Sequence, residues 1–184
     1  MHDKISESKL WESFKSGDKD AFKVIYYNYY MLLYRYGIKT SADTELAEDC
    51  LQDLFLKLWK NRENLGEVAS VKSYLYRAYI RMLFEAIKKS RREINLAELD
   101  HPQEESSIEE TIIQNQDQNA LNLHLHQALK HLSKRQRQVM LLHYFDGLSY
   151  KQIAEILPIK YQAIRNCVHE GIKILRKNIA SRSG

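Results

Sequence analysis

Residues 149–179 read SYKQIAEILPIKYQAIRNCVHEGIKILRKNI. Ser149 is followed three residues on by Gln152, the pattern of a capping box, so a short helix starts here. Its inner face is Ile153, Ala154 and Ile156. Pro158 biases Leu157 towards extended backbone, which stops the helix and turns the chain. A second helix starts near Tyr161. On a wheel of about 100° per residue with Gln162 at zero, Lys173, Asn166 and Lys177 lie at about 20°, 40° and 60°, and His169 and Arg165 at about −20° and −60°. Cys167, Gly171, Ile164, Leu175, Val168 and Ile179 fall on the opposite side. A capped helix, a tight turn and a helix with one face of amides and cations make a helix-turn-helix. Amides suit adenine edges, and Arg or Lys suits guanine and phosphate. Gln162, Arg165, Asn166 and His169 stand near the end where such helices meet bases. Glu170, on the rim, would repel phosphate.

The surrounding chain fits an all-helical protein. It has 184 residues, a formal net charge of +4, 44% hydrophobic and 28% charged residues, which is the make-up of a folded chain rather than a disordered one. Six glycines and two prolines are too few for the many turns of an all-β fold. The charge is uneven: net +2 over 1–89, −6 over 90–119 and +8 over 120–184. A basic final third suggests a polyanionic partner. Apolar periodicity predicts helices over about 6–15, 19–38, 43–60 and 71–92, then about 118–131, 134–145, 149–156 and 161–179. Gly17-Asp18 separates the first two, Ser41 or Asp43 caps the third, and Ser133 with Gln136 forms another capping box. Residues 61–70 read as a loop. The polar, acidic stretch beyond 92, with the first proline of the chain, reads as a linker. The expected organisation is two small helical domains, 1–92 and 119–184, joined by 93–118.

Two further helix faces stand out. On the third helix, Leu46, Ala47, Cys50, Leu51, Leu54 and Leu58 make a core stripe, while Asp49, Gln52 and Asp53 are neighbours on the other side. On the fourth, with Arg77 at zero, Lys88, Arg81 and Arg92 lie at about 20°, 40° and 60°, with Tyr74 also near 60°. Phosphates can run along such a stripe, with Tyr74 available to stack on a base. Tyr76 and Tyr79 fall on the apolar side and read as core.

The chain resembles the bacterial sigma factors. ALKHLSKRQRQVMLLHYFDGLSYKQIAEILPIKYQAIRNCVHEGIKILRKNI looks like their region 4. DAFKVIYYNYYMLLYRYGI followed by AEDCLQDLFLKLW is similar to region 2 of the extracytoplasmic-function (ECF) group, and the wording KYQAIRN looks most like Bacteroidetes versions. The resemblance covers roughly 10–90 and 120–180. It implies that Asp49, Gln52 and Asp53 dock on the β′ clamp helices of core RNA polymerase, with Leu56 and Trp59 as extensions of the patch, Trp59 being equally suited to the core. It implies that Tyr74, Arg77, Arg81, Lys88 and Arg92, with the loop 61–70, handle the −10 promoter element. Region 4 would read the −35 element through Gln162, Arg165, Asn166 and His169, with phosphate contacts from Lys151, Lys160 and Lys173. It also implies contact with the polymerase β subunit and control by an anti-sigma factor.

The chain departs from the family pattern in places. Ile80-Arg81 stands where the family often has Arg-Asn, leaving the −10 preference open. Ser133 replaces a frequent proline, and Pro158 a usual glycine. Asn166-Cys167 and Glu170-Gly171 make the recognition helix less basic than average.

Other classes fare worse. There is no Walker loop, G-x-S-x-G or H-E-x-x-H, so no catalytic residue, cofactor or small-molecule substrate is expected. His124 and His126 diverge by about 160° on a helix and His131 has no Cys nearby, so no metal site is expected. Cys50 and Cys167 read as reduced thiols. MHDKISESK is no signal peptide and no apolar run spans a membrane, so a cytoplasmic protein is expected, without membrane insertion. A stand-alone helix-turn-helix regulator and a polymerase adaptor that never reads DNA are the alternatives. The acidic linker is equally a tether, a repeller of nonspecific DNA, or a segment threaded toward the RNA path.

Overall fold

The computed structural model describes residues 7–100, 129 and 131–180. The chain divides into two units, Met1–Glu109 and Glu110–Gly184, with the division inside the acidic segment. The described elements are helices and the turns between them, as the sparse glycine and proline content requires.

In the first unit, α1 spans Glu7–Lys15, α2 Lys19–Ser41, α3 Thr44–Lys60 and α4 Val71–Asp100, with a 3₁₀ turn over Arg62–Asn64. Gly17 ends α1 at φ +93. Its N–H donates to the Phe14 carbonyl at 3.0 Å and that of Asp18 to Ser13 at 3.1 Å, the paired closure that favours glycine. Asp18 at once caps α2, accepting from the Asp20 and Ala21 N–H groups. Two residues thus close one helix and open the next. α2 runs past 38 to Ser41 and stops at Ala42, which is left-handed at φ +58. Asp43, not Ser41, caps α3, accepting the Leu46 N–H at 3.0 Å. The Ser41 hydroxyl instead donates within the turn.

α2 packs on α1, α3 and α4, and α3 packs on α4. Their shared core is rich in rings: Trp11, Phe14, Tyr36, Tyr76 and Tyr79 are fully buried beside Ile25, Leu33, Leu51, Leu75 and Leu83. Tyr79 donates its hydroxyl to the Ala47 carbonyl at 3.0 Å, tying α4 to α3. Gly37 lies over that hydroxyl, and a Cβ there would overlap it. Trp59 joins the interior rings, 5.1 Å from Phe22, with the Arg62 guanidinium 4.7 Å over its face. It is therefore half-buried against the ring cluster, in keeping with the core alternative of its two readings.

The fourth helix continues to Asp100 instead of ending at 92. Residues 93–100, EINLAELD, hold good helix formers and no breaker before Pro102, and that outweighs their polarity. The helix expected over 118–131 falls almost wholly outside the described residues.

In the second unit, α5 spans Lys134–Met140 and passes into a π-type turn, Leu141–Phe145. The Asp146 N–H reaches back five residues to the Leu141 carbonyl, and Gly147 follows at φ +65. α6 spans Tyr150–Ile156 and α7 Tyr161–Ala180. Both predicted capping boxes form. Ser133 N–H donates to Gln136 Oε1 and Ser149 N–H to Gln152 Oε1, each at 2.9 Å, with the reciprocal bonds present. Leu157 is extended at φ −101, ψ 142 ahead of Pro158, as the proline dictates. α7 packs across α5 and α6 on an aliphatic core: Val139, Leu142, Leu148, Ile153, Ile164 and Val168.

Candidate nucleic-acid and partner interfaces

The α3 face is set by helical period. Six inward side chains, Ala47, Cys50, Leu51, Leu54, Phe55 and Leu58, are buried. Asp49, Gln52 and Asp53 are therefore turned to solvent, and Leu56 stands beside them 56% exposed. Asp53 meets Lys57 at 3.6 Å, an exposed i,i+4 pair that contributes at most about 1 kcal/mol and exchanges readily for another cation. Burial pushes the Cys50 thiol up, and the Asp53 and Asp49 carboxylates push it further. The face is thus a negative, one-leucine patch on a well-anchored helix.

On α4, Arg77, Arg81, Lys88 and Arg92 are all exposed. Arg81 pairs with Glu85 at 3.2 Å. Tyr76 and Tyr79 are core, as their position on the wheel indicated. Tyr74 differs from expectation: it is half-buried, its ring 5.3 Å from Trp11 in an edge contact, and that burial raises its hydroxyl pKa. The wheel gave its direction correctly, but α1 covers part of it. The basic stripe is therefore four cations with a tyrosine seated at its N-terminal end.

That end carries residues that sequence reasoning missed. Glu7 Oε1 accepts the Val71 N–H at 2.9 Å and the Lys72 N–H at 3.3 Å, and the Tyr29 hydroxyl donates to the same oxygen at 3.2 Å. Burial raises the Tyr29 pKa well above the usual tyrosine range, and the nearby Glu7 carboxyl adds to it. Trp11 donates its indole N–H to the Gly66 carbonyl at 3.0 Å, holding the loop 61–70. Glu7 is 64 positions from Val71, so no local pattern signals the contact.

In the second unit, Gln162, Arg165, Asn166, His169 and Lys173 are exposed along α7, and Ile164, Val168 and Gly171 face inward. Cys167 is only partly buried, with its thiol pushed up by burial. The Gln162 amide donates to Asn166 Oδ1 at 3.3 Å, fixing the two amides as one surface. Lys173 holds Glu170 at 3.2 Å, which offsets the repulsion expected of that carboxylate. Lys151 and Lys160 are exposed at the start of α6 and in the turn. Tyr150 and Tyr161 pack edge-on at 5.9 Å, bridging the two helices of the motif.

Among the described residues, no three His, Cys, Asp or Glu side chains gather as a metal site. His131 is exposed, and His124 and His126 lie outside the described residues. No described helix is long and apolar enough to cross a membrane.

Among the described residues the chain is helical throughout, with an acidic and a basic helix face in one unit and a helix-turn-helix in the other, an arrangement that suits a transcription protein of the sigma-70 type. Comparison with known proteins agrees. The Sigma-70 region 2 family matches residues 25–93 and the Sigma-70, region 4 family residues 123–175. The chain is 26% identical over 172 residues to the ECF RNA polymerase sigma factor SigW of Bacillus subtilis, covering 90% of this chain and 92% of that one. It is 26% identical over 156 residues to the ECF RNA polymerase sigma factor SigL of Mycobacterium tuberculosis, covering 84% and 86%. CnrH, solved in complex with the cytosolic domain of CnrY, shares the fold at a TM-score of 0.71 and 14% identity, over 95% of this chain and 97% of that one. The sigma factor RpoE, solved in complex with the anti-sigma factor NepR from Bartonella quintana, does so at 0.68 and 22%, over 86% and 98%. The chain belongs to the ECF sigma factors, which bind core RNA polymerase and direct it to promoters, and which are not a family of enzymes.

Proposed function

We propose that the exposed faces divide the sigma-factor task among them. Asp49, Gln52, Asp53 and Leu56 on α3 dock on the β′ clamp helices of the polymerase. Arg77, Arg81, Lys88 and Arg92 on α4 track the phosphates of the −10 element, with Tyr74 at the edge of the loop 61–70. Gln162, Arg165, Asn166 and His169 read the −35 element, and Lys151, Lys160 and Lys173 hold its backbone. The acidic segment 93–118, whose first residues continue α4, joins domains 1–92 and 119–184. The observation that carries this reading is the placement of the faces. Apart from half-buried Tyr74 and Lys160 in the turn, each of these side chains is exposed on a helix whose other side is locked into a core.

The chain works in the cytoplasm as a non-catalytic subunit without a cofactor, and the KYQAIRN wording supports a Bacteroidetes-like member. CnrH and RpoE were solved bound to the cytosolic domain of CnrY and to the anti-sigma factor NepR. A comparable protein inhibitor would restrain this chain by covering the faces named above.

The test is reconstitution with core RNA polymerase and mapping of transcript starts. Wild-type chain should associate with core and create new start sites, whereas a stand-alone regulator would bind duplex DNA and ignore polymerase. Asp49→Lys with Asp53→Lys should weaken core binding about tenfold or more, ~1.4 kcal/mol. Thermal melting should be unchanged, since both side chains are exposed. Equal core affinity in the double variant would falsify the α3 assignment.

A further inference from the structure

The first turn of any helix leaves backbone N–H groups without helical partners, and these need acceptors from elsewhere. At α4 that demand is met from two sources. Ser70 serves locally, its hydroxyl accepting the Ser73 N–H at 3.3 Å and its carbonyl the Tyr74 N–H at 3.1 Å. The Val71 and Lys72 N–H groups are taken by Glu7, from a different helix. A carboxylate there also suits the positive end of the helix dipole. The same helix α1 holds the preceding loop through Trp11 and Gly66, packs against the Arg62–Asn64 turn, and seats the Tyr74 ring. Tyr29 of α2 in turn fixes the Glu7 carboxylate. Trp11 is 1% exposed, so its indole has one orientation available.

We propose that α1 is a brace for promoter melting, with Glu7 and Trp11 as positioning residues for −10 recognition. They touch no DNA. They set where the loop 61–70, Tyr74 and the first turn of α4 stand relative to the basic stripe. The proposal deepens the reading of α4 and its loop as the −10 handling surface, and rests on it.

The experiment uses the full chain with core polymerase on a promoter taken from the mapped starts. Transcription is compared between that promoter, single-base variants of its −10 element and variants of its −35 element. Trp11→Phe, which loses one hydrogen bond, should lower −10 discrimination about fivefold, and Glu7→Ala, which loses three accepted ones, at least as much. Core affinity and −35 discrimination should stay as in wild type. Glu7→Gln keeps an acceptor oxygen and should recover discrimination to within about twofold. A variant that merely folds less well lowers output from every template alike and leaves these ratios unmoved. Arg77→Ala with Arg81→Ala is run alongside and should lower output evenly across the −10 variants. If it does so while Glu7→Ala and Trp11→Phe leave −10 discrimination as in wild type, the brace is refuted. If the arginine pair leaves output unchanged, the α4 reading fails and the brace falls with it.

Discussion

In the proposed reading α7 and α4 both turn a polar face to DNA, but they are built in opposite ways. The α7 face mixes amides, an arginine and a histidine, and its order is internal: Gln162 bonds Asn166, and Lys173 bonds Glu170. Donors and acceptors at fixed spacing discriminate base edges. The α4 face is cationic, and cations follow phosphates without regard to sequence. What selectivity α4 has must come from its N-terminal end, where Tyr74, Gly66 and Val71 are held by residues of α1. On that reading one helix would carry its own specificity, and the other would borrow it from its neighbours.

The largest expected effect separates the two faces directly. Arg165→Ala with Asn166→Ala should cost about 1–3 kcal/mol per lost base contact on the preferred −35 sequence and little on a scrambled one. Quantitative binding of the holoenzyme to both templates checks this, and equal losses on both would erase the distinction. Lys88→Ala with Arg92→Ala should instead weaken binding evenly across sequences. It should shallow the dependence of log affinity on log salt by about one for each cation removed. A loss confined to one promoter sequence would mean that α4 reads bases after all.

Two buried glycines make the same comparison inside the cores. Gly37→Ala drives a methyl into the Tyr79 hydroxyl, which is fixed by the Ala47 carbonyl, so a loss of about 1–3 kcal/mol is expected in denaturant unfolding. Gly171→Ala in α7 meets only the flexible Met140 side chain, 3.2 Å from the added carbon at Sδ. The helix-propensity gain of about 0.8–1 kcal/mol offsets that contact, so the net change should stay below about 1 kcal/mol. Equal losses at both glycines would show that the second core is as unyielding as the first.

Much of the site was legible in the sequence, and the residues show why. The capping boxes at Ser133 and Ser149, the turn forced by Pro158, and the outward faces of α3 and α7 depend on neighbours within four positions, so a wheel and a cap rule suffice. What the sequence left open shares a cause as well. Trp59 suited the patch and the core alike and Tyr74 lay near the basic stripe, but only the surrounding helices determine how far such a side chain meets solvent. The continuation of α4 to Asp100 was hidden by polar composition, which reports solvation rather than backbone preference.

By itself, then, the sequence determined the helical class, the helix-turn-helix and the sign of charge on each face, because those follow from short-range periodicity. Tertiary structure alone decided that Glu7 would cap a helix 64 positions away, that Trp11 would hold the loop, and that Gly37 must leave room for Tyr79. Such contacts join side chains whose separation along the chain carries no period, and they exist only once the core has brought the helices together.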